Sequence, residues 1–346
     1  MPVCQRYPDI MRQSNNFDAL RIFAACTVMV SHSIPLSYGS NDLEPLNLIS
    51  RGQTTAGTIA VCVFFIISGY LITQSFERSR NVRTFLIARA LRLLPGLAVV
   101  LIVMAFVIGP IISTLPLYEY LASTQPYQYV VANVSLLYTL KELPGVFQGN
   151  PSPRLVNGSL WSLPYEAKCY LMTLCLGVSG LLTRYITLCL LGAGCVAMMF
   201  SFGTVRVDCV CFFLGGSVIY QFRPPLRGWI ATICSVLWLA SLLFGGFDFA
   251  SALVGPYVII YLALAPSVRL PDLARRGDLS YGTYVWAYPV QQMATAFLGS
   301  WACWYLNLAI AMPVVLTLAW ASWHFIEAPA LKLKSRRPQQ ARPASS

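Results

Sequence analysis

Charged residues are scarce in this chain of 346 residues: Asp, Glu, Lys and Arg together make up 11% of it, against 57% hydrophobic residues. Soluble globular domains carry about 25% charged residues, so the composition excludes that class. With a mean hydropathy of +0.63, the sequence predicts an all-α, polytopic transmembrane helix bundle. Spans of about 20 residues each leave no room for a separate soluble domain. Residues 1–346 are therefore expected to form one membrane domain.

Metal-ligand patterns are also lacking. His32 and His324 are the only histidines in the sequence, and the eleven cysteines include no CxxC pair. None of the cysteines has metal-ligand spacing with either histidine. The sequence therefore predicts no metal, and the thiols are expected to serve as small apolar side chains.

Long apolar segments dominate what is there. A window of about 20 residues finds ten of them, near 17–38, 56–76, 93–113, 159–182, 184–203, 207–222, 228–246, 248–266, 279–299 and 303–326. The remaining long stretch, 114–158, is only partly apolar and has room for a short re-entrant or interfacial helix. Residues 17–327 are thus expected to hold the spans and loops.

The positive charges indicate orientation. If the N-terminus is cytoplasmic, the cytoplasmic segments hold 19 of the 24 Lys and Arg residues, including the basic tail 331–346. Because basic loops stay on the cytoplasmic side, we expect about ten spans with both termini cytoplasmic, in the bacterial inner membrane. The net charge of +11 then reflects topology. Its spread over loops argues against nucleic acid as a partner.

The first apolar segment carries an arginine and a histidine. Arg21 lies at its cytoplasmic end, and His32, eleven residues later, is about 16 Å deeper at 1.5 Å per residue. An imidazole at that depth is costly unless it faces a polar cavity or a partner. His32 is therefore a candidate functional residue, and an interhelical hydrogen bond is the alternative interpretation.

A second polar cluster enters from the opposite face. Glu166 lies seven residues after Ser159, about 10 Å below the outer surface, so it is expected to reach a depth comparable to that of His32. A His–Glu couple suits general base work on a hydroxyl, since the acid fixes the tautomer and stabilises the imidazolium. Lys168 is either a counter-charge to Glu166 or half of a structural pair.

Several motifs together resemble the acyltransferase-3 family of integral-membrane acyltransferases, over nearly the whole chain. Each is weak alone, but their order and spacing make a chance match improbable. They are R-x10-H at Arg21 and His32, FFIISGYLI at 64–72, Arg89 and Arg92 followed by Pro95, SLWSLPYE at 159–166, LSYGTYVWAYP at 279–289 and FIEAP at 325–329.

The resemblance implies transfer of an acyl group, usually acetyl, from cytoplasmic acyl-CoA to a hydroxyl of an envelope or exported carbohydrate or glycolipid, such as exopolysaccharide or lipopolysaccharide. Its implied partners are the acyl-CoA donor, that acceptor, membrane lipids and proteins of envelope-glycan biosynthesis. The assigned residues are His32 and Glu166 for catalysis, Arg21, Arg89, Arg92 and Tyr281 for the donor, and Trp161, Tyr165 and Ser68 for the substrate.

The chemistry of the individual residues agrees with these implied roles, but several residues have a second interpretation. Arg89 and Arg92 share a helix face and suit the phosphates of coenzyme A; the other interpretation is plain topology anchors. Ser68 has no evident base beside it, and Gly69 is expected to serve helix packing. One departure is Ala287, where many family members have histidine, which removes any model needing a second imidazole there. His324 is expected to be an interface residue.

Two chemistries and two other function classes stay open. His32 either deprotonates an acceptor hydroxyl that attacks the thioester directly, or carries the acyl group itself. A small-solute or lipid-linked-sugar transporter would also bury Arg, His and Glu along its path. A scaffold that binds no coenzyme A is the third class. The acceptor and the acyl chain length are not encoded in a recognisable motif.

Overall fold

The computed structural model describes residues 15–79, 81–200, 206–271 and 277–333. Within these ranges all regular structure is helical and no strand occurs, which confirms the all-α prediction. The N-terminal arm before residue 15 and most of the predicted basic tail lie outside the described residues.

Fourteen helices are described in these ranges. They are α1 (Phe17–Tyr38), α2 (Pro45–Ile49), α3 (Ala56–Ser79), α4 (Val82–Ile112), α5 (Leu117–Ala122), α6 (Gln125–Ser135), α7 (Leu163–Val178), α8 (Arg184–Phe200), α9 (Val207–Phe222), α10 (Gly228–Phe244), α11 (Phe247–Leu253), α12 (Gly255–Leu264), α13 (Ser280–Leu298) and α14 (Trp304–Lys332). A short 3-10 segment, Gly158–Ser162, leads into α7. Helices α5 and α6 lie in the long stretch 114–158, for which the sequence suggests one short re-entrant or interfacial helix.

Four helices are long and apolar enough to cross a membrane: α1, α3, α4 and α14. A fifth span results if α11 and α12, which meet at an angle of 47°, are counted as one broken span. Pro256 explains this break, because a proline has no N–H to donate to the carbonyl four residues earlier and its ring clashes with that carbonyl. Each of the ten predicted segments overlaps a helix, but length and composition alone identify only four to five of them as spans.

Helix α13 is 19 residues long but is not among the described helices that are apolar enough to count as spans. Every residue from Ser280 to Gln292 is buried within the protein, so α13 faces neighbouring helices on all sides. Several of its polar side chains, among them Tyr281, Tyr284 and Gln292, find partners there, and its composition need not match lipid. A helix of this kind is central to the bundle and is less apolar than the helices around it.

Helices α3 and α9 approach each other closely through their backbones. A Cβ atom added to Gly69 would lie 1.9 Å from the Phe213 carbonyl oxygen, and one added to Gly216 would lie 2.0 Å from that of Ile66. The Ser217 hydroxyl also donates to the Gly69 carbonyl at 3.2 Å. Gly69 therefore serves helix packing, as the sequence predicts.

Candidate active site

A cavity of about 310 Å³ lies between α1, α3, α4, α7, α13 and the end of α14. That volume is at the lower end of the range for small-molecule sites. Its polar lining consists of Arg21, Arg89, Arg92, Glu166, Ser68, Ser162, Ser280, Tyr170, Tyr281 and Tyr284. The structure therefore gathers six of the nine assigned site residues around one cavity. The three that do not line it are His32, Trp161 and Tyr165.

Arg92 is engaged by two carboxylates. Its guanidinium donates a hydrogen bond to Asp278, and a second nitrogen lies 4.0 Å from the Glu327 carboxylate. Burial raises the pKa of the Asp278 carboxyl, but Arg92, Arg21 and the hydrogen bonds from Ser280 outweigh burial and hold the pKa below its usual range. The positive charge of Arg92 is thus balanced within the protein.

Arg89 and Arg21 are placed differently. Neither guanidinium lies within 4 Å of a carboxylate in the described part of the chain. The Nε atom of Arg89 is buried and has no hydrogen-bond partner there, and its guanidinium carbon is 6.0 Å from the centre of the Tyr170 ring. Of the three arginines, Arg89 and Arg21 are the ones available to an anionic ligand in the cavity.

Glu166 belongs to the arginine cavity. Its carboxylate accepts hydrogen bonds from the Tyr170 hydroxyl and, at 3.4 Å, from the Ser68 hydroxyl. Within the described ranges no hydrogen bond or ion pair joins it to His32. Lys168 does not pair with it either; the ammonium lies 4.8 Å from the centre of the Tyr165 ring.

His32 does not line the cavity. Its ring meets the Tyr288 ring edge-on, with the two centres 5.2 Å apart. The Nδ1 atom is buried and has no hydrogen-bond partner among the described residues. His32 is therefore held by packing, and one of its nitrogens is left without a partner.

The 3-10 segment before α7 separates the cavity from His32. At the cavity, the Ser162 and Tyr284 hydroxyls are 2.6 Å apart, and the Tyr284 hydroxyl donates to the Ser159 carbonyl at 2.9 Å. One turn further along α13, Gly158 lies against Tyr288, where an added Cβ would be 2.4 Å from the ring. Tyr284 and Tyr288 thus connect the cavity to His32 through one continuous wall.

The remaining assigned residues have structural contacts. The Tyr281 hydroxyl donates to the Leu93 carbonyl at 2.7 Å while its ring lines the cavity. Trp161 and Tyr165 are half-buried with ring centres 6.2 Å apart, and the guanidinium carbon of Arg206 is 4.8 Å from the centre of the Trp161 ring. His324 is exposed and packs on Trp320, consistent with the predicted interface role.

Two residues of this site, Tyr170 and Asp278, were not predicted from the sequence. Tyr170 lies four residues after Glu166, and that spacing puts both on one helix face, so it offered a usable signal. Asp278 is 186 residues from Arg92, and no local pattern connects them. No group of three or more His, Cys, Asp or Glu side chains that could hold a metal occurs in the described ranges.

Comparison with known proteins shows which family the chain belongs to. A family model described as an acyltransferase domain matches residues 14–324. The chain is 30% identical over 340 residues to an "O-acetyl transferase" of Shigella phage Sf6, covering 92% of this chain and 96% of that protein. It is 29% identical over 357 residues to "Nodulation protein 10" of Rhizobium leguminosarum bv. viciae, covering 93% and 94%. No solved structure matches the chain. The chain belongs to the acyltransferase-3 family and is an acyltransferase.

Proposed function

We propose that this protein is a membrane-embedded O-acyltransferase that moves an acetyl group from acetyl-CoA on the cytoplasmic side to a hydroxyl of an envelope or exported carbohydrate. Family membership and the "O-acetyl transferase" relative support acyl transfer to oxygen. The observation that carries the donor assignment is the pair Arg21 and Arg89, two guanidinium groups in one cavity with no carboxylate within 4 Å among the described residues.

The proposed topology is ten spans with both termini cytoplasmic, in the inner membrane. Its support is the overlap of every predicted segment with a described helix and the concentration of basic residues on one side. A helix of 16 residues, such as α9, is about 24 Å long, somewhat short of a hydrocarbon core of about 30 Å. Flanking Arg and Lys side chains would compensate by extending to the interface.

Donor binding follows from the cavity. The phosphates of acetyl-CoA would bind Arg21 and Arg89, while Arg92 holds the helices in place through Asp278. The apolar side chains of the lining, among them Phe64, Phe65 and Leu93, suit the carbon chain that leads to the thioester. The acyl end would then approach His32 along the wall formed by Tyr284 and Tyr288.

Two balanced routes lead from there to product. In the direct route, His32 takes the proton of an acceptor hydroxyl, the oxygen bonds to the thioester carbon, and the C–S bond breaks to release coenzyme A, whose sulfur takes up the proton. In the covalent route, the imidazole attacks first and coenzyme A leaves. The acceptor oxygen then bonds to the acyl carbon, the C–N bond to the imidazole breaks, and the proton of the acceptor hydroxyl passes through the freed imidazole to the coenzyme A thiolate. Both routes need His32. In neither route does Glu166 act on the imidazole; its role would be to position Tyr170 and Ser68 in the donor site.

The test uses membrane vesicles supplied with acetyl-CoA labelled in the acetyl group. Thioester consumption and labelled glycan would be compared for the native protein, His32→Ala and Arg89→Ala. We expect His32→Ala to abolish both signals and Arg89→Ala to raise the KM for acetyl-CoA. Arg83→Ala is the matched control, because Arg83 lies on the same helix but is exposed and outside the cavity.

The outcomes separate the function classes. If native vesicles containing the acceptor consume no acetyl-CoA, acetyl transfer is rejected, and movement of a solute across the vesicle membrane is the next measurement. If His32→Ala retains full transfer, the enzyme stands and His32 is not its base.

A further inference from the structure

His32 and Gln291 each bury a polar atom that has no hydrogen-bond partner among the described residues: Nδ1 of His32 and Oε1 of Gln291. Gln291 is fully buried, with an exposed fraction of 0%. An unpaired buried polar group costs stability, so two of them on packed helices call for an explanation.

The amide group of Gln291 is held in one orientation. Its Nε2 donates to the Met29 carbonyl at 2.8 Å and to Oδ1 of Asn307 at 3.1 Å, while Nδ2 of Asn307 donates to the Gln291 carbonyl at 2.8 Å. The nitrogen has two hydrogens and both meet acceptors. Oε1 is therefore the free end of the amide, and rotation to exchange the two atoms would break both bonds.

These contacts place Gln291 at the part of α1 that carries His32. Met29, whose carbonyl binds the amide, is three residues before His32. Tyr288, whose ring meets the imidazole, is three residues before Gln291. Residues three apart share a helix face, so the face of α13 that carries Tyr288 and Gln291 is the face that packs against His32.

Gln291 has no charged competitor as the hydrogen-bond partner of His32 among the described residues. Among the described residues no charged side chain forms an ion pair with His32, and from α13 the titratable group in contact with it is Tyr288. Glu44, which follows α1, accepts bonds from the Ser31 hydroxyl and from the backbone N–H groups of Asn47 and Ala56. Glu166 is engaged in the arginine cavity.

We propose that Gln291 is the positioning residue of His32. Its Oε1 accepts a hydrogen bond from Nδ1–H through one water, so that the basic lone pair of the imidazole is on Nε2, facing the reacting groups. A neutral amide fixes the tautomer in this way without adding charge. The inference rests on the proposed function, because it requires His32 as base or acyl carrier.

The experiment measures acetyl transfer from acetyl-CoA in vesicles as a function of pH. Gln291→Met removes the acceptor with little change in volume, and we expect kcat to fall by about 10- to 100-fold with an unchanged KM for acetyl-CoA. Gln291→Glu places a carboxylate beside the imidazole and favours its protonated form. The acid limb of the kcat/KM profile is then expected to move to higher pH.

Gln292→Met is the matched control. Gln292 is equally buried, but its Nε2 donates to the Ser152 and Leu155 carbonyls and its Oε1 accepts from Asn150. We expect this variant to lose stability and keep the native pH profile. A native kcat in Gln291→Met, or an unmoved acid limb in Gln291→Glu, overturns the inference while the acyltransferase stands. If Gln291→Met does not insert, the Gln291→Glu profile decides.

Discussion

Arg92 donates a hydrogen bond to Asp278, and this contact joins α4 to the start of α13 across 186 residues of sequence. Both side chains are largely buried. The pair separates the roles of two arginines only one helical turn apart. Arg92 is paired with carboxylates, whereas Arg89, which has none within 4 Å among the described residues, is the arginine that the proposed function assigns to the donor.

The first prediction concerns that separation. Asp278→Ala leaves the buried charge of Arg92 without its closest partner, and we expect a loss of about 3–5 kcal/mol in the free energy of unfolding. Thermal unfolding in detergent measures it. Arg89→Ala is expected to leave the unfolding temperature nearly unchanged and to raise the KM for acetyl-CoA. Equal destabilisation by the two variants would contradict the assignment.

The second prediction is the pH dependence of the same pair. Since the pKa of Asp278 is lower in the folded protein than in the unfolded chain, its contribution to stability is present above the unfolded value of about 3.9 and is lost as the pH falls through the folded value. The difference in unfolding temperature between the native protein and Asp278→Asn should therefore be constant from about pH 5 to 8. It should narrow below about pH 4.

The third prediction tests the contact between Gly158 and Tyr288. The Cβ atom of Gly158→Ala would lie 2.4 Å from the Tyr288 ring, so the ring must move, and His32 packs against it. We expect a lower kcat with little change in the KM for acetyl-CoA, in the labelled acetyl transfer assay. Gly149→Ala is the control, because no atom lies within 4 Å of its added Cβ.

The fourth prediction concerns Glu166. Glu166→Gln weakens the charge-assisted hydrogen bonds that the Glu166 carboxylate accepts from Tyr170 and Ser68, each worth about 1.5–3 kcal/mol. We therefore expect the KM for acetyl-CoA to change. The acid limb of the pH profile should not move, since no hydrogen bond or ion pair joins Glu166 to His32 among the described residues. A shift of that limb would restore the His–Glu couple that the sequence suggests.

The fifth prediction tests the close approach of α3 and α9. Gly69→Ala places a Cβ atom 1.9 Å from the Phe213 carbonyl, which forces the helices apart, and we expect a loss of about 1–3 kcal/mol in unfolding free energy. Gly192→Ala, in α8, meets no atom within 4 Å. Because alanine is the better helix former, that control should be neutral or stabilising in the same unfolding measurement.

Much of the helical layout could be predicted from the sequence. A backbone in lipid must satisfy its own hydrogen bonds, so an apolar segment near 56–76 predicts a helix, and α3 occupies that position. The number of spans is harder to predict, because helices such as α13 are surrounded by protein and carry polar side chains. Their composition reflects their neighbours more than the membrane.

The candidate site was predictable by residue but less so by contact. The resemblance assigns Arg21 and Arg89 to the donor and Glu166 to catalysis with His32, but the structure brings Glu166 to the cavity of the two arginines. Depth along a helix axis suggested that Glu166 meets His32, but depth does not give the direction in which a side chain points. Glu166 faces Ser68 and Tyr170. Gln291, the partner proposed for His32, is uncharged and lies just after the motif at 279–289.

The glycine contacts between α3 and α9 have a mechanical consequence. Two helices whose backbones touch at Gly69 and Gly216 cannot slide past each other without a steric clash, so they should move as one rigid body. Ser68, next to Gly69, lines the cavity, which makes α3 a fixed wall of the proposed donor site. Any widening that admits or releases the donor is then expected to come from displacement of α4 or α7.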